Sequence, residues 1–139
     1  MFDSYSIAVS AQMTLILVIV LQATIATVAH QKQQLPPGTL GANLKHDSFV
    51  FRSHRTHQNS LENAIQIFIP SFIAIFIGVD AFSLSAALWV YVISRILHMV
   101  LYYLIATEKN PSPRTYFYLI SLTANFYVIW LVLEKLIFA

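Results

Sequence analysis

The chain contains no cysteine. That excludes disulfides, thiolate metal sites and a protein thiol nucleophile, so any sulfur chemistry must come from a ligand. Charge is scarce as well. Asp, Glu, Lys and Arg make up 10% of the 139 residues, against about a quarter in a soluble domain. The opening MFDSYSIAVS has no Lys or Arg ahead of the apolar run. It therefore lacks the positive n-region of a signal peptide, and ATVA at 26–29 is not read as a cleavage site. The apolar runs show no alternation with polar residues, which excludes barrel strands. No internal repeat or low-complexity tract is present.

What the chain does have is apolar length. Hydrophobic residues make up 58% of it and the mean hydropathy is +0.67. Uncharged or nearly uncharged runs at 5–29, 63–79, 81–94 continuing to 106, and 115–133 each approach the ~20 residues that cross the ~30 Å hydrocarbon core as helix, giving spans at about 6–30, 55–79, 83–106 and 114–134. Helix is the form that satisfies its own backbone hydrogen bonds in lipid. These runs predict an all-α integral membrane protein, a four-transmembrane-helix bundle forming one domain over 1–139, with no nucleic-acid partner and no metal. The connections read as a polar loop over 30–54, with PPG at 36–38, and as turns at GVDAFS, 78–83, and TEKNPSPR, 107–114. The first loop region carries Lys32, Lys45, Arg52 and Arg55, the last turn Lys109 and Arg114, and the other side only Lys135. The positive-inside rule then places both basic loops in the cytoplasm and both termini outward.

Three polar stripes converge on that basic side. On the second helix Arg52, Arg55, Asn59, Glu62 and Gln66 follow a 3/4 spacing and share a face. Arg52 and His54 alone read as a solvated juxtamembrane face, whereas Asn59 and Glu62 enter the apolar run. On the third helix Tyr91, Arg95, His98 and Tyr102 keep the same spacing. Ionisable residues inside a span are costly and face the bundle interior or a wet cavity. An Arg95–Glu62 ion pair tying two helices together is the structural reading of the same residues. On the fourth helix Ser112 fits the N-cap and Pro113 the first turn. Arg114 follows, a cation at the end of a helix where anions are preferred. Either it snorkels to the membrane boundary or it meets a bound anion beside free N–H groups. Tyr118, Ser121 and Asn125 continue its face. Brought together, these side chains form a cationic cavity with one carboxylate, suited to a small polyanionic ligand bearing an amine, with an apolar partner arriving from the lipid.

RTHQNSLEN (55–63), RILHMVLY (95–102) and PRTYFY (113–118) together resemble the MAPEG family, the membrane-associated proteins in eicosanoid and glutathione metabolism. The resemblance covers the whole chain in topology and three short segments in motif. It implies a homotrimer with glutathione bound between subunits near the cytoplasmic face. It also implies binding roles for Arg55, Asn59, Glu62, Arg95, His98, Tyr102 and Tyr118, with Glu62 on the γ-glutamyl amine. Arg114 would stabilise the glutathione thiolate, with Thr115 donating to the same sulfur. The implied activity is that of a glutathione transferase or peroxidase acting on lipophilic electrophiles or lipid hydroperoxides. The family's alternative is a non-catalytic lipid-binding protein that presents lipid to a partner; a small channel is a third reading, disfavoured because the stripes gather near one face. Three departures stand out. Gln58 replaces an Arg of the prostaglandin synthase type. Gln66 stands where the family often has a Pro, which here comes at Pro70. The end of helix one offers His30, Gln31 and Lys32 in place of the usual Arg.

Overall fold

The computed structural model describes residues 2–138 and is helical throughout, with four helices and no strand among the described residues. α1 spans Phe2–Lys32, α2 Phe49–Phe76, α3 Ala81–Leu104 and α4 Pro113–Ile137. α1, α3 and α4 are each long and apolar enough to cross a bilayer. α2 falls short of that measure because its first half, FRSHRTHQNSLEN, is polar. It starts at Phe49, ahead of the apolar run, and carries its polar face inward, while the apolar run beyond Gln66 contains Pro70.

The up-down order follows from the connections. α3 and α4 pack most intimately, α1 lies against α2 and α3, and α2 also reaches α4; the backbones of α1 and α4 do not approach closely among the described residues. The α2–α3 turn closes by a Schellman arrangement. Val79 N–H donates to Ala74 O at 2.9 Å and Gly78 N–H to Ile75 O at 3.3 Å, with Gly78 at φ +72°, a region closed to most side chains but open to glycine. Asp80 then caps α3 by accepting from Ser83 N–H at 2.8 Å. Those hydrogen bonds hold its carboxyl below the usual carboxylate range. Tyr5 ties α1 to the turn, its hydroxyl donating to Val79 O at 2.5 Å.

Burial is narrow on each helix. The core holds small and medium side chains, including Ala8, Ala11, Leu15, Ile67, Ala74, Leu84, Leu88, Val92, Ala124 and Val128. Large apolar side chains such as Leu17, Val20, Ile65, Phe76, Phe82, Phe126 and Trp130 face outward. In water this pattern would aggregate; in lipid it costs nothing, and small residues at helix contacts let backbones approach. Inside the bundle Gln12 Nε2 donates across helices to Ser71 Oγ at 2.6 Å, whereas the buried Gln22 amide and Asn125 Oδ1 have no partner among the described residues.

Candidate functional site

The site lies at the end of the bundle where α2 begins, α3 ends, α4 begins and the 33–48 loop folds over. Two short turns are responsible. The 105–112 connection sets the head of α4 beside the tail of α3, so Arg114 meets Tyr102: its guanidinium carbon lies 3.8 Å from the centre of the Tyr102 ring. A cation over a phenol face is attracted by the ring quadrupole. Arg114 therefore turns onto α3, and simple snorkelling does not describe it.

The head of α4 is built by Ser112 and Thr115. Ser112 N–H donates to Thr115 Oγ1 at 3.1 Å, and the two hydroxyls are 3.2 Å apart. Thr115 N–H bonds back to Ser112 O at 2.9 Å. Thr115 thus has a capping duty that the sequence pattern assigned to Ser112 alone. Its oxygen accepts from the backbone, which leaves its own proton to donate.

Arg95 is 2% exposed. One of its amino groups, Nη2, donates to Asn59 Oδ1 at 2.6 Å and to Ser60 Oγ at 3.2 Å. The other, Nη1, is buried without a partner. The ion pair with Glu62 does not form: Glu62 is exposed, and a neutral amide and hydroxyl serve Arg95 instead. The reason is the helical angle. Positions 59, 60 and 63 of α2 turn toward α3, where Tyr91 Oη also reaches Asn63 O at 3.5 Å, whereas 62 and 66 turn away from the bundle and are exposed. The stripe on α2 is therefore split, with Asn59 on the inner side and Glu62 and Gln66 on the outer.

His98, 6% exposed, packs edge-on to Tyr102 with ring centres 6.0 Å apart, and its Nδ1 has no partner. Tyr118 lies within electrostatic reach of Arg95. Arg55 is half-buried and bonds Gln58 Oε1 at 3.1 Å. Asn59, Arg95, His98, Tyr102, Arg114, Thr115 and Tyr118 are thus gathered at one end, with Arg55 at the margin and Glu62 facing away.

Two contributors were not assigned to the site from the sequence. Arg52, read as solvated, is 8% exposed. It clamps the loop, its Nη1 donating to His46 O at 2.7 Å and Asp47 O at 2.8 Å, while Nη2 reaches Tyr103 O at 3.4 Å. His54 does stay exposed. His46, from the loop, brings Nδ1 to 3.1 Å from Tyr102 Oη. Burial pushes the His46 imidazole below its ordinary pKa, and Arg114, Arg55 and Arg52 push the same way against Glu108. A histidine in an aperiodic loop leaves no signal to find it by; Arg52 left its 3/4 spacing, which told its face but not its burial.

The electrostatic sum is clear. Four guanidinium groups gather at this end, and among the described residues Arg52, Arg55 and Arg95 donate to neutral oxygens. A buried guanidinium with an unfilled N–H is costly unless an anion or water meets it. The arrangement is able to hold carboxylates and to favour an anionic sulfur.

A separate cavity of about 730 Å³ lies between the end of α1, the loop and α2, lined in part by Thr27, His30, Gln31, His54 and His57. It does not include the Arg95–Arg114 cluster. Among the described residues no group of three or more His, Cys, Asp or Glu is placed to hold a metal ion.

The family model described as MAPEG family matches residues 7–133. No curated protein and no solved structure matches the chain.

Proposed function

The chain belongs to the MAPEG family, and from that premise we propose that it is a glutathione-dependent transferase with peroxidase capacity, acting on lipophilic electrophiles as a homotrimer. The family holds glutathione transferases and peroxidases and also non-catalytic members. The observation that carries the catalytic reading is Arg114, held over Tyr102 at the head of α4 beside the partly unpaired Arg95. A guanidinium held there suits an anionic sulfur better than a neutral lipid, which favours the catalytic reading over a lipid binder.

Glutathione fits the groups present. Its carboxylates are the anions that Arg95 Nη1 and Arg55 lack, and His98 Nδ1 supplies a further polar contact. Glu62, exposed on a single chain, is suited to an amine held at a subunit boundary. A thiol of ordinary pKa ~8.5 is mostly protonated at neutral pH. The Arg114 charge and the Thr115 hydroxyl lower that pKa by favouring the thiolate, at about 1.4 kcal/mol per unit. The thiol proton leaves to water. The thiolate sulfur then forms a bond to an electrophilic carbon of a lipid-dissolved substrate, and the leaving group departs with the electron pair. With a lipid hydroperoxide, two glutathiones supply two electrons, giving the alcohol, water and glutathione disulfide. The protein's part is counter-charge and positioning. Conjugation of glutathione to a chlorodinitrobenzene-type substrate by the purified protein tests the reading, and absence of both binding and turnover contradicts it.

A further inference from the structure

We infer that His46, from the 33–48 loop, is a positioning residue that fixes the Tyr102 ring and through it the Arg114 guanidinium. The inference rests on the proposed role of Arg114 at the glutathione sulfur and adds a residue to it.

The geometry is a relay of two contacts. Tyr102 Oη and His46 Nδ1 are 3.1 Å apart, and the other face of the relay is the Arg114 stack at 3.8 Å. With Nδ1 unprotonated, the phenol donates and the imidazole accepts. That bond pins the far end of the ring and so restrains χ1, while the plane of the ring is set by the Arg114 stack and the edge contact with His98. It also leaves more electron density on the phenol, which strengthens the attraction for a cation on its face. The loop in turn is locked. Arg52 ties down the carbonyls of His46 and Asp47, Ser48 N–H bonds Lys45 O at 2.9 Å, and the His46 ring packs edge-on against Phe51 at 5.0 Å. A clamp of this kind on an otherwise irregular loop places one imidazole with little freedom.

Protonation reverses the relay. A His46 cation has a donor at Nδ1 where the phenol needs an acceptor. It also faces Arg52 and Arg55 of α2 and Arg114 of α4, with Tyr102 of α3 in contact and Glu108 of the α3–α4 turn as the opposing charge. The neutral form is the one the fold favours. The contribution of the relay is therefore present above the depressed His46 pKa and lost as pH falls through it.

The experiment compares wild type, His46→Phe, His46→Asn and Tyr102→Phe for thiolate formation with glutathione and for turnover across pH. His46→Phe keeps a ring but removes the acceptor. It is expected to lower turnover about ten-fold, the scale of one lost hydrogen bond, with KM for glutathione little changed. His46→Asn offers an amide oxygen near the Nδ1 position and restores most of the loss. It also removes the acid limb that titration of His46 imposes on the wild-type profile. Wild-type protein that forms the thiolate while His46→Phe matches it at every pH overturns the inference and leaves the proposed function standing. Wild-type protein that forms no thiolate overturns both. Should His46→Phe fail to fold, the imidazole nitrogen shifts of His46 read the contact: an unprotonated Nδ1 whose shift moves in Tyr102→Phe supports the relay, and an unchanged shift overturns it.

Discussion

At the α2–α3 turn, polar groups close on one another. Tyr5 bonds Val79, Asp80 bonds Ser83, and Gly78 lets the last turn of α2 satisfy its own carbonyls. At the opposite end Arg52 Nε, Arg95 Nη1, His98 Nδ1 and Ser48 Oγ are buried without partners. The two ends differ in composition, the turn using Tyr, Asp and Gly and the other end gathering the four Arg side chains with His46 and His98. They differ also in that one has used its hydrogen-bonding capacity on the fold and the other holds some in reserve. Natural proteins rarely leave buried polar groups unfilled, so this cluster is where the proposed ligand, or ordered water, would be met. Substitutions at the two ends should therefore separate: changes at the loop end cost activity first, and changes at the turn cost stability alone.

The largest effect is expected at Arg114. Arg114→Ala should reduce conjugation about 10²–10³-fold, the scale of removing one preorganised stabiliser of developing charge, with little change in the melting temperature because the side chain is only half-buried. Arg95→Met removes the partner of Asn59 and Ser60. Glutathione binding should be lost and stability should fall by about 1–3 kcal/mol, read by calorimetric titration and by unfolding in detergent. Thr115→Val takes away the acceptor of Ser112 N–H. It should destabilise by about 1 kcal/mol as a lost cap and lower turnover several-fold, with Thr115→Ser restoring both. At the other end Tyr5→Phe should cost about 1 kcal/mol and leave turnover untouched. Asp80→Asn should have the smallest effect. Asp80 has a depressed pKa in the fold, so its contribution is present above the ordinary carboxylate range and lost as pH falls through the depressed value. The Asn variant should flatten that acid limb of the unfolding profile.

How far each region was legible follows from the same contrast. All four helices could be read, three of them because apolar runs of membrane length have few other physical uses. The α3 and α4 stripes were legible because the spacing of 95, 98 and 102 and of 114 and 118 fixes a face, and the short TEKNPSPR turn fixes which ends meet. The stripe on α2 was only partly so. Its 3/4 spacing grouped Asn59 with Glu62, but the face toward α3 runs through 59, 60 and 63, and Glu62 falls outside it. Arg52 shows the same limit, since a periodic position tells direction and not depth. His46 lay outside any pattern, because a loop's path depends on what clamps it, and its clamp is the Arg52 side chain. Family resemblance implies roles for the residues, and the structure adds who touches whom.

The central claim is that Arg114 holds glutathione as its thiolate. The direct measurement is ultraviolet thiolate absorbance on adding glutathione to the purified protein at neutral pH, beside the Arg114→Ala variant. The account predicts a thiolate band in the wild type, well below the thiol's ordinary pKa of ~8.5, and its loss in the variant while the helical fold persists. A wild type with no band, or a band of equal strength in the variant, would contradict it.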